Sequence, residues 1–206
     1  MSGNHFEIAK QKCLTIDEAI NTVRTGIVLA CGHVGEGYFT RQCFYAIDLL
    51  LSMAIAEHMK LPLLLKHLAP VRRKIVAAFG EKFQPRIRSL RKRIFVGPPA
   101  SSAVLAGYGS PAGKPPSNTT EAFFNQRCLR ITYEDRNGAM TTRDIEPQFL
   151  FLSLPIWYLL AFDRLRQDIR HFRIDRIHDS VILEKGFRLA DPKPYLASAE
   201  AEFGGI

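Results

Sequence analysis

The chain has 206 residues, a formal net charge of +8 and 47% hydrophobic residues, so it can bury a sizeable core. This composition excludes a wholly disordered chain and a disulfide-stapled miniprotein. The four cysteines form no CxxC pair, as is typical of a reducing compartment. The longest apolar run, residues 149–162, is shorter than the roughly 20 residues that span a bilayer. We therefore expect a cytoplasmic protein with no membrane partner.

The first half of the chain has the periodicity of helices. Thr15-Ile16-Asp17-Glu18 forms a capping box, which predicts the start of a first helix. Apolar residues recur at helical spacing between Tyr38 and Lys60. Pro62 suits the first turn of a third helix, and a short basic helix is expected after Pro85. These elements predict a helical bundle over residues 1–96.

The positive charge is concentrated in one part of this bundle. Residues 66–93 hold ten lysines and arginines and one glutamate. Such a segment is typical of a surface that contacts phosphates. A solvated helix face explains the same run equally well, so both interpretations stay open.

Three motifs of the first 110 residues do not fit the chemistry that they suggest. The glycines of residues 32–37 have the wrong order for a dinucleotide fingerprint and favour a turn between helices. Cys31, His33 and Cys43 lack the paired spacing of a zinc site. Ser110 lacks the spacing of a nucleophile elbow. We expect no enzymatic activity, no cofactor and no metal.

The second half of the chain has the alternation of strands. A linker rich in Pro and Gly is predicted over residues 97–118, followed by a short helix over 119–127. Five short strands then follow, with a hairpin turn at Arg136-Asn137-Gly138. We predict an α+β protein whose second domain, residues 119–190, is a small antiparallel barrel or sandwich. Residues 191–206 are interpreted as a tail.

One strand of this domain carries alternating apolar and cationic side chains. If Phe172 faces the core, His171 and Arg173 point outwards, because neighbours along a strand face opposite sides. Arg173 could then offer its planar donor group to a phosphate. Alternation places Arg170 with Phe172 unless a bulge intervenes. Five arginines lie close together here, at positions 164, 166, 170, 173 and 176.

A purely structural role for these arginines is the alternative. Asp163, Asp168 and Asp175 lie within the same stretch and can pair with them. The residues alone do not decide between ligand binding and structural pairing.

The same residues carry a family resemblance. The pattern resembles the WYL domain of bacterial transcription regulators over residues 119–185, and residues 14–93 are more loosely similar to the helical segment of those regulators. The matching positions are Tyr133, Thr141, Arg143, Ile145, Pro147, Trp157-Tyr158-Leu159 and the run from Arg170 to Ile177.

The resemblance implies an Sm-like or SH3-like β-barrel that senses a nucleotide or single-stranded nucleic acid and modulates transcription. Trp157 and Leu159 would pack in the core, because they alternate with Tyr158. The ligand contacts that it implies are Tyr158, Arg170, His171, Arg173, Arg143 and Arg176.

The chain departs from the family pattern at its start. Regulators of this family usually begin with a winged helix-turn-helix, whereas 14 residues precede Thr15. We therefore expect no promoter recognition by this chain alone. A truncated regulator, a start assigned too late and a stand-alone sensor are the alternatives. A different function is pairing through the bundle, as a homodimer or with full-length regulators, without nucleic-acid binding.

The basic segment, residues 66–93, generates a first prediction. Its cations lie between apolar anchors, and nothing in it resembles a recognition helix with polar base-reading side chains, so duplex binding should be weak and indifferent to sequence. The log–log salt slope should be roughly −0.9 for each phosphate neutralised. A salt titration on two unrelated duplexes of equal length measures it. A preference above about tenfold, roughly 1.4 kcal/mol, at physiological salt would contradict this prediction.

Overall fold

The computed structural model describes residues 49–50, 52–53, 55–57, 62–79, 81, 84–108 and 116–203. Five α-helices with defined bounds lie in this part of the chain, and the described residues between 49 and 57 are also helical. The helices are α1 (Pro62–Ala78), α2 (Gln84–Leu90), α3 (Ser102–Ala106), α4 (Ser117–Asn125) and α5 (Pro192–Phe203).

Six strands form one sheet in the order β5-β4-β3-β2-β6, and β1 pairs in parallel with the second half of β3. Neighbours along that path run antiparallel. The strands are β1 (Ile94–Val96), β2 (Arg127–Glu134), β3 (Met140–Ser153), β4 (Ile156–Asp163), β5 (Asp168–Arg173) and β6 (Ile177–Gly186).

Several predicted elements are present. A helix begins at Pro62, and a short helix contains Pro85. The helix predicted over residues 119–127 is α4, which begins and ends two residues earlier. Within the residues interpreted as a tail, Pro192–Phe203 form α5.

Other predictions fall outside the described residues. These are the Thr15 capping box, the motifs of residues 31–43, Ser110 and most of Tyr38–Lys60. The bundle and the domain limits therefore stay predictions. In the part of the chain that the structure describes, no helix is long and apolar enough to cross a membrane.

The prediction of a closed barrel is wrong. The sheet is open, and its path ends at β5 on one side and β6 on the other. The physical reason is visible along β4, where both faces are buried. Trp157 and Leu159 pack into the cluster beneath α1, α2 and α4, whereas Tyr158 and Leu160 pack into the cluster beneath α5. Helices therefore cover both faces of the sheet.

The two turns beside the strand ends are set by aspartates. Asp135 Oδ1 accepts hydrogen bonds from the backbone N–H groups of Asn137 and Ala139, at 2.8 and 3.0 Å. Gly138 has a φ of 80°, which glycine adopts without a steric cost. The predicted hairpin turn is confirmed. Asp163 Oδ1 caps the β4–β5 turn in the same way, by accepting from the N–H of Leu165 at 2.8 Å.

Gly97, just after β1, lies against the centre of the sheet. A Cβ at this position would come within 2.3 Å of the ring of Phe151, which has no exposed surface. A Cβ at Gly107 would meet nothing closer than a backbone oxygen at 3.8 Å. The two glycines therefore form a matched pair.

We predict that Gly97→Ala lowers the free energy of unfolding by about 1–3 kcal/mol, because overpacking strains a filled core. Gly107→Ala should change that free energy by no more than about 0.5 kcal/mol. Urea denaturation measures both values. Equal changes in the free energy of unfolding would contradict this prediction, because the Phe151 ring would then move aside for the added methyl group without a cost in stability.

Candidate functional site

A cleft of about 840 Å³ lies at the edge of the sheet formed by β5. The walls also include the β2–β3 turn, α3 and the end of α5. All six residues predicted as ligand contacts line this one cleft: Tyr158, Arg170, His171, Arg173, Arg143 and Arg176.

The register of β4 and β5 explains how the cleft receives its side chains. Arg173 pairs with Tyr158 and Phe172 with Leu159, and paired residues share a face of the sheet. His171 and Arg173 therefore lie on the Tyr158 face, and Arg170 lies with Phe172 on the other, as alternation predicted. Because Arg170, Phe172 and His171 all line the cleft, it extends around the edge strand.

Arg173 is buried, which corrects the expectation that it points into solvent. Arg173 is 7% exposed, because α5 and α3 cover the face of the sheet on which it lies. Nε and Nη2 donate to the two carboxylate oxygens of Asp175 at 3.1 and 2.6 Å. This hydrogen bonding raises the pKa of the guanidinium above its ordinary value, so the group keeps its charge. The pair uses two donor atoms and leaves Nη1 for a ligand.

The other arginines of the cleft are held less tightly. Arg143 Nε lies 3.9 Å from Asp163, and Arg170 Nε lies 3.9 Å from Asp168. Arg176 lies close enough to Tyr133 to lower the pKa of the Tyr133 hydroxyl. Burial has the larger effect and raises that pKa. The structural pairing with Asp163, Asp168 and Asp175 is thus present, but it is tight only at Arg173.

Two tyrosines supply hydroxyl groups to the cleft. The backbone N–H of Arg173 donates to the hydroxyl of Tyr133 at 3.3 Å, and the Tyr133 ring meets Phe172 edge to face at 5.0 Å. Burial raises the pKa of both Tyr133 and Tyr158. Both hydroxyls are therefore protonated at neutral pH and can donate to an anion.

His171 connects the cleft to α5. Its Nδ1–H donates to Glu202 Oε2 at 2.5 Å, since an ionised carboxylate only accepts. This hydrogen bond lowers the pKa of Glu202. Among the described residues, Nε2 of His171 is buried without a hydrogen-bond partner. Phe203 covers the histidine, with ring centroids 5.4 Å apart.

The sequence-based list omitted several residues that also line the cleft. Arg136 and Arg166 stand on the two turns at its rim, and a basic residue at the tip of each predicted turn was the available signal. Glu202 and Phe203 gave no such signal, because only the docking of α5 brings them to the cleft. The omitted residues are Tyr133, Arg136, Arg166, Glu202 and Phe203.

The charge of the cleft is positive. Six arginines line it against three carboxylates, those of Asp135, Asp163 and Glu202. Among the described residues, no group of three or more His, Cys, Asp or Glu side chains could hold a metal ion. The arrangement is chemically suited to an anion beside aromatic rings.

Comparisons with known proteins identify the domain that carries this cleft. Residues 117–182 match the family model of the WYL domain. A 59-residue stretch is 34% identical to the uncharacterized HTH-type transcriptional regulator YobV of Bacillus subtilis (strain 168). It covers 29% of this chain and 19% of that protein.

The solved structure of the proteasome accessory factor B/C (PafBC) of Arthrobacter aurescens is also similar, with 23% identity and a TM-score of 0.33. The match covers 71% of this chain and 20% of that one. The chain thus spans about a fifth of each relative.

The residues that match the WYL domain include α4 and the strands from β2 to most of β6. The resemblance that the sequence carries over residues 119–185 is confirmed.

The His171–Glu202 pair generates a prediction about pH. Because the pKa of Glu202 is lowered in the folded state, the pair stabilises the fold above the ordinary glutamate pKa of 4.5. That stability is lost as the pH falls through the lowered value. Glu202→Gln should therefore be less stable than the wild type at neutral pH, with the difference shrinking towards about pH 3.

Urea denaturation at the two pH values measures this difference. Glu200→Gln is the matched control, because Glu200 is an exposed residue of the same helix. Its difference from the wild type should be small at both pH values. A Glu202→Gln deficit that stays constant with pH would contradict the assignment of an ionised carboxylate to this pair.

Proposed function

We propose that this chain is an effector-sensing regulatory protein whose cleft binds a nucleotide or single-stranded nucleic acid and thereby modulates transcription. The observation that carries the proposal is the composition of the cleft. Six arginines and a histidine surround Tyr158 and Phe172 in one cleft of about 840 Å³. Phosphate and a flat base are the two groups that these side chains recognise together.

The residues divide into two roles. Arg173 is oriented by Asp175 and would place its remaining donors on one phosphate. Arg170, with a side chain 54% exposed, would reach a second phosphate or a neighbouring nucleotide. The ring of Tyr158, on the same face of the sheet as Arg173, would contact the base.

The regulatory part of the proposal is supported by the domain itself. The relative from Bacillus subtilis is named as a helix-turn-helix transcriptional regulator. A sensor domain that changes its contacts when a ligand binds could act on a DNA-binding partner.

We predict that Arg170→Ala weakens binding of a short single-stranded oligodeoxythymidylate by about tenfold, roughly 1.4 kcal/mol. The measurement is fluorescence anisotropy of the labelled oligonucleotide in low salt, with ADP as an unlabelled competitor. The matched control is Arg130→Ala. Arg130 is also 54% exposed and paired with an aspartate, but it does not line the cleft.

Arg130→Ala should change the affinity by less than about twofold when both variants are also compared at about 0.15 M salt, because exposed charges more than about 8 Å apart are then largely screened. Absence of binding to both the oligonucleotide and ADP would overturn the proposal. Equal losses in the two variants would show that binding follows overall charge and not the cleft.

A further inference from the structure

We propose that the last turn of α5 is an internal competitor for the ligand of this cleft. The carboxylate of Glu202 takes the position of a phosphate, and the ring of Phe203 takes the position of a base. This inference rests on the proposed function and adds the means by which the part of the cleft beside Tyr158 and His171 is kept occupied. A ligand whose base stacks on Tyr158 then requires the turn to leave.

The position of the Glu202 carboxylate supports the first part. It is the one cleft acid that α5 contributes; Asp135 and Asp163 belong to the turns that frame the cleft. Glu202 reaches across from α5 to the ring of His171, with 2.5 Å between Oε2 and Nδ1. A carboxylate of this chain therefore already lies on the arginine-lined side of the cleft.

The ring of Phe203 supports the second part. Its centroid lies 4.4 Å from that of Tyr158 and 5.2 Å from that of Phe151, on which it is stacked. These are the separations at which aromatic rings contact one another. A base that stacks on Tyr158 from this side would have to replace Phe203.

The unpartnered nitrogen of His171 is an independent sign that the closed arrangement is incomplete. The His171 side chain is 4% exposed, and within the described residues its Nε2 has no hydrogen-bond partner. A buried polar atom without a partner destabilises the arrangement that contains it. A ligand that displaces the turn and gives Nε2 a partner would remove this destabilisation.

The attachment of α5 allows its last turn to leave separately. Tyr195 and Ala199 are buried beneath the helix, whereas Glu200, Ala201 and Glu202 are not. The end of a helix frays at a lower cost than its middle. The first two turns can thus stay docked through Tyr195 while the last turn opens.

The adjacent carboxylate and ring also indicate the chemistry of the ligand. An anion and a flat ring joined through a few single bonds describe a nucleotide, either free or as one unit of a single strand. A plain anion such as sulfate would compete with Glu202 alone and would leave Phe203 in place.

The test is Phe203→Ala in the full chain, because this substitution changes no charge. If the closed turn is populated about ten to one, removing its ring should tighten binding of the labelled oligodeoxythymidylate by about tenfold. Phe187→Ala is the matched control, since Phe187 is also half-buried and does not line the cleft. It should leave the affinity unchanged.

Hydrogen exchange provides the second readout. Saturating oligonucleotide should speed exchange of the backbone amides of residues 200–203 and leave that of 195–199 slow. Saturating sulfate should not reproduce the effect.

The outcomes separate this inference from the proposed function. If the wild type binds and Phe203→Ala binds equally or more weakly, the inference alone is overturned. Slower exchange of the amides of residues 200–203 in the presence of the ligand would overturn it as well. Binding by the variant and not by the wild type would support both. Absence of binding by either chain would overturn the proposed function, and with it the competitor role.

Discussion

The side chain of Arg93 connects the middle of β3 to the end of α4, and the arrangement of the sheet depends on this connection. Arg93 is 3% exposed and donates to the carbonyls of Gln148, Phe123 and Pro147 at 2.9, 2.9 and 3.0 Å. Pro147 and Gln148 lie where a bulge interrupts the pairing of β3 with β4, and Phe123 O belongs to the end of α4. Ladder and helix bonding is interrupted in both places. Phe123 O also accepts from the N–H of Gln126 at 3.4 Å, and one guanidinium donates to all three carbonyls.

The bulge whose carbonyls accept from Arg93 also explains why both faces of the sheet are covered. β3 is 14 residues long and pairs with β2 along its first half and with β1 along its second. A bulge bends its strand and increases its twist, so the two halves of β3 serve different neighbours. The second half, with Phe149 and Phe151, faces α5 and supplies the surface on which Tyr195 packs at 5.0 Å from Phe149. The docking of α5 follows from this geometry.

The sequence predicts the strands from β2 to β6 and their turns, because alternation and turn chemistry are local signals. The six predicted ligand contacts came from the family resemblance, and the structure brings them to one cleft. The sequence does not predict an open sheet, since burial of both faces depends on helices that lie far away in sequence. The long apolar run of β4 carried that signal, because a strand of a one-sided sheet would alternate with polar residues. Arg93 was counted with the basic segment, yet it is a buried structural residue. A charge count cannot distinguish these roles, which depend on three carbonyls brought together only by the fold.

The arginines of the cleft differ in the freedom that their partners leave them, and this difference decides what the site can do. A guanidinium held in a two-point pair, as in Arg173 with Asp175, has already lost its side-chain entropy and fixes one position for an anion. Arginines whose acids lie 3.9 Å away keep rotamers that can follow ligands of different length. One fixed position surrounded by adaptable ones suits a ligand with a constant phosphate and a variable remainder. Specificity then falls to the rings around Tyr158, where Phe203 already lies.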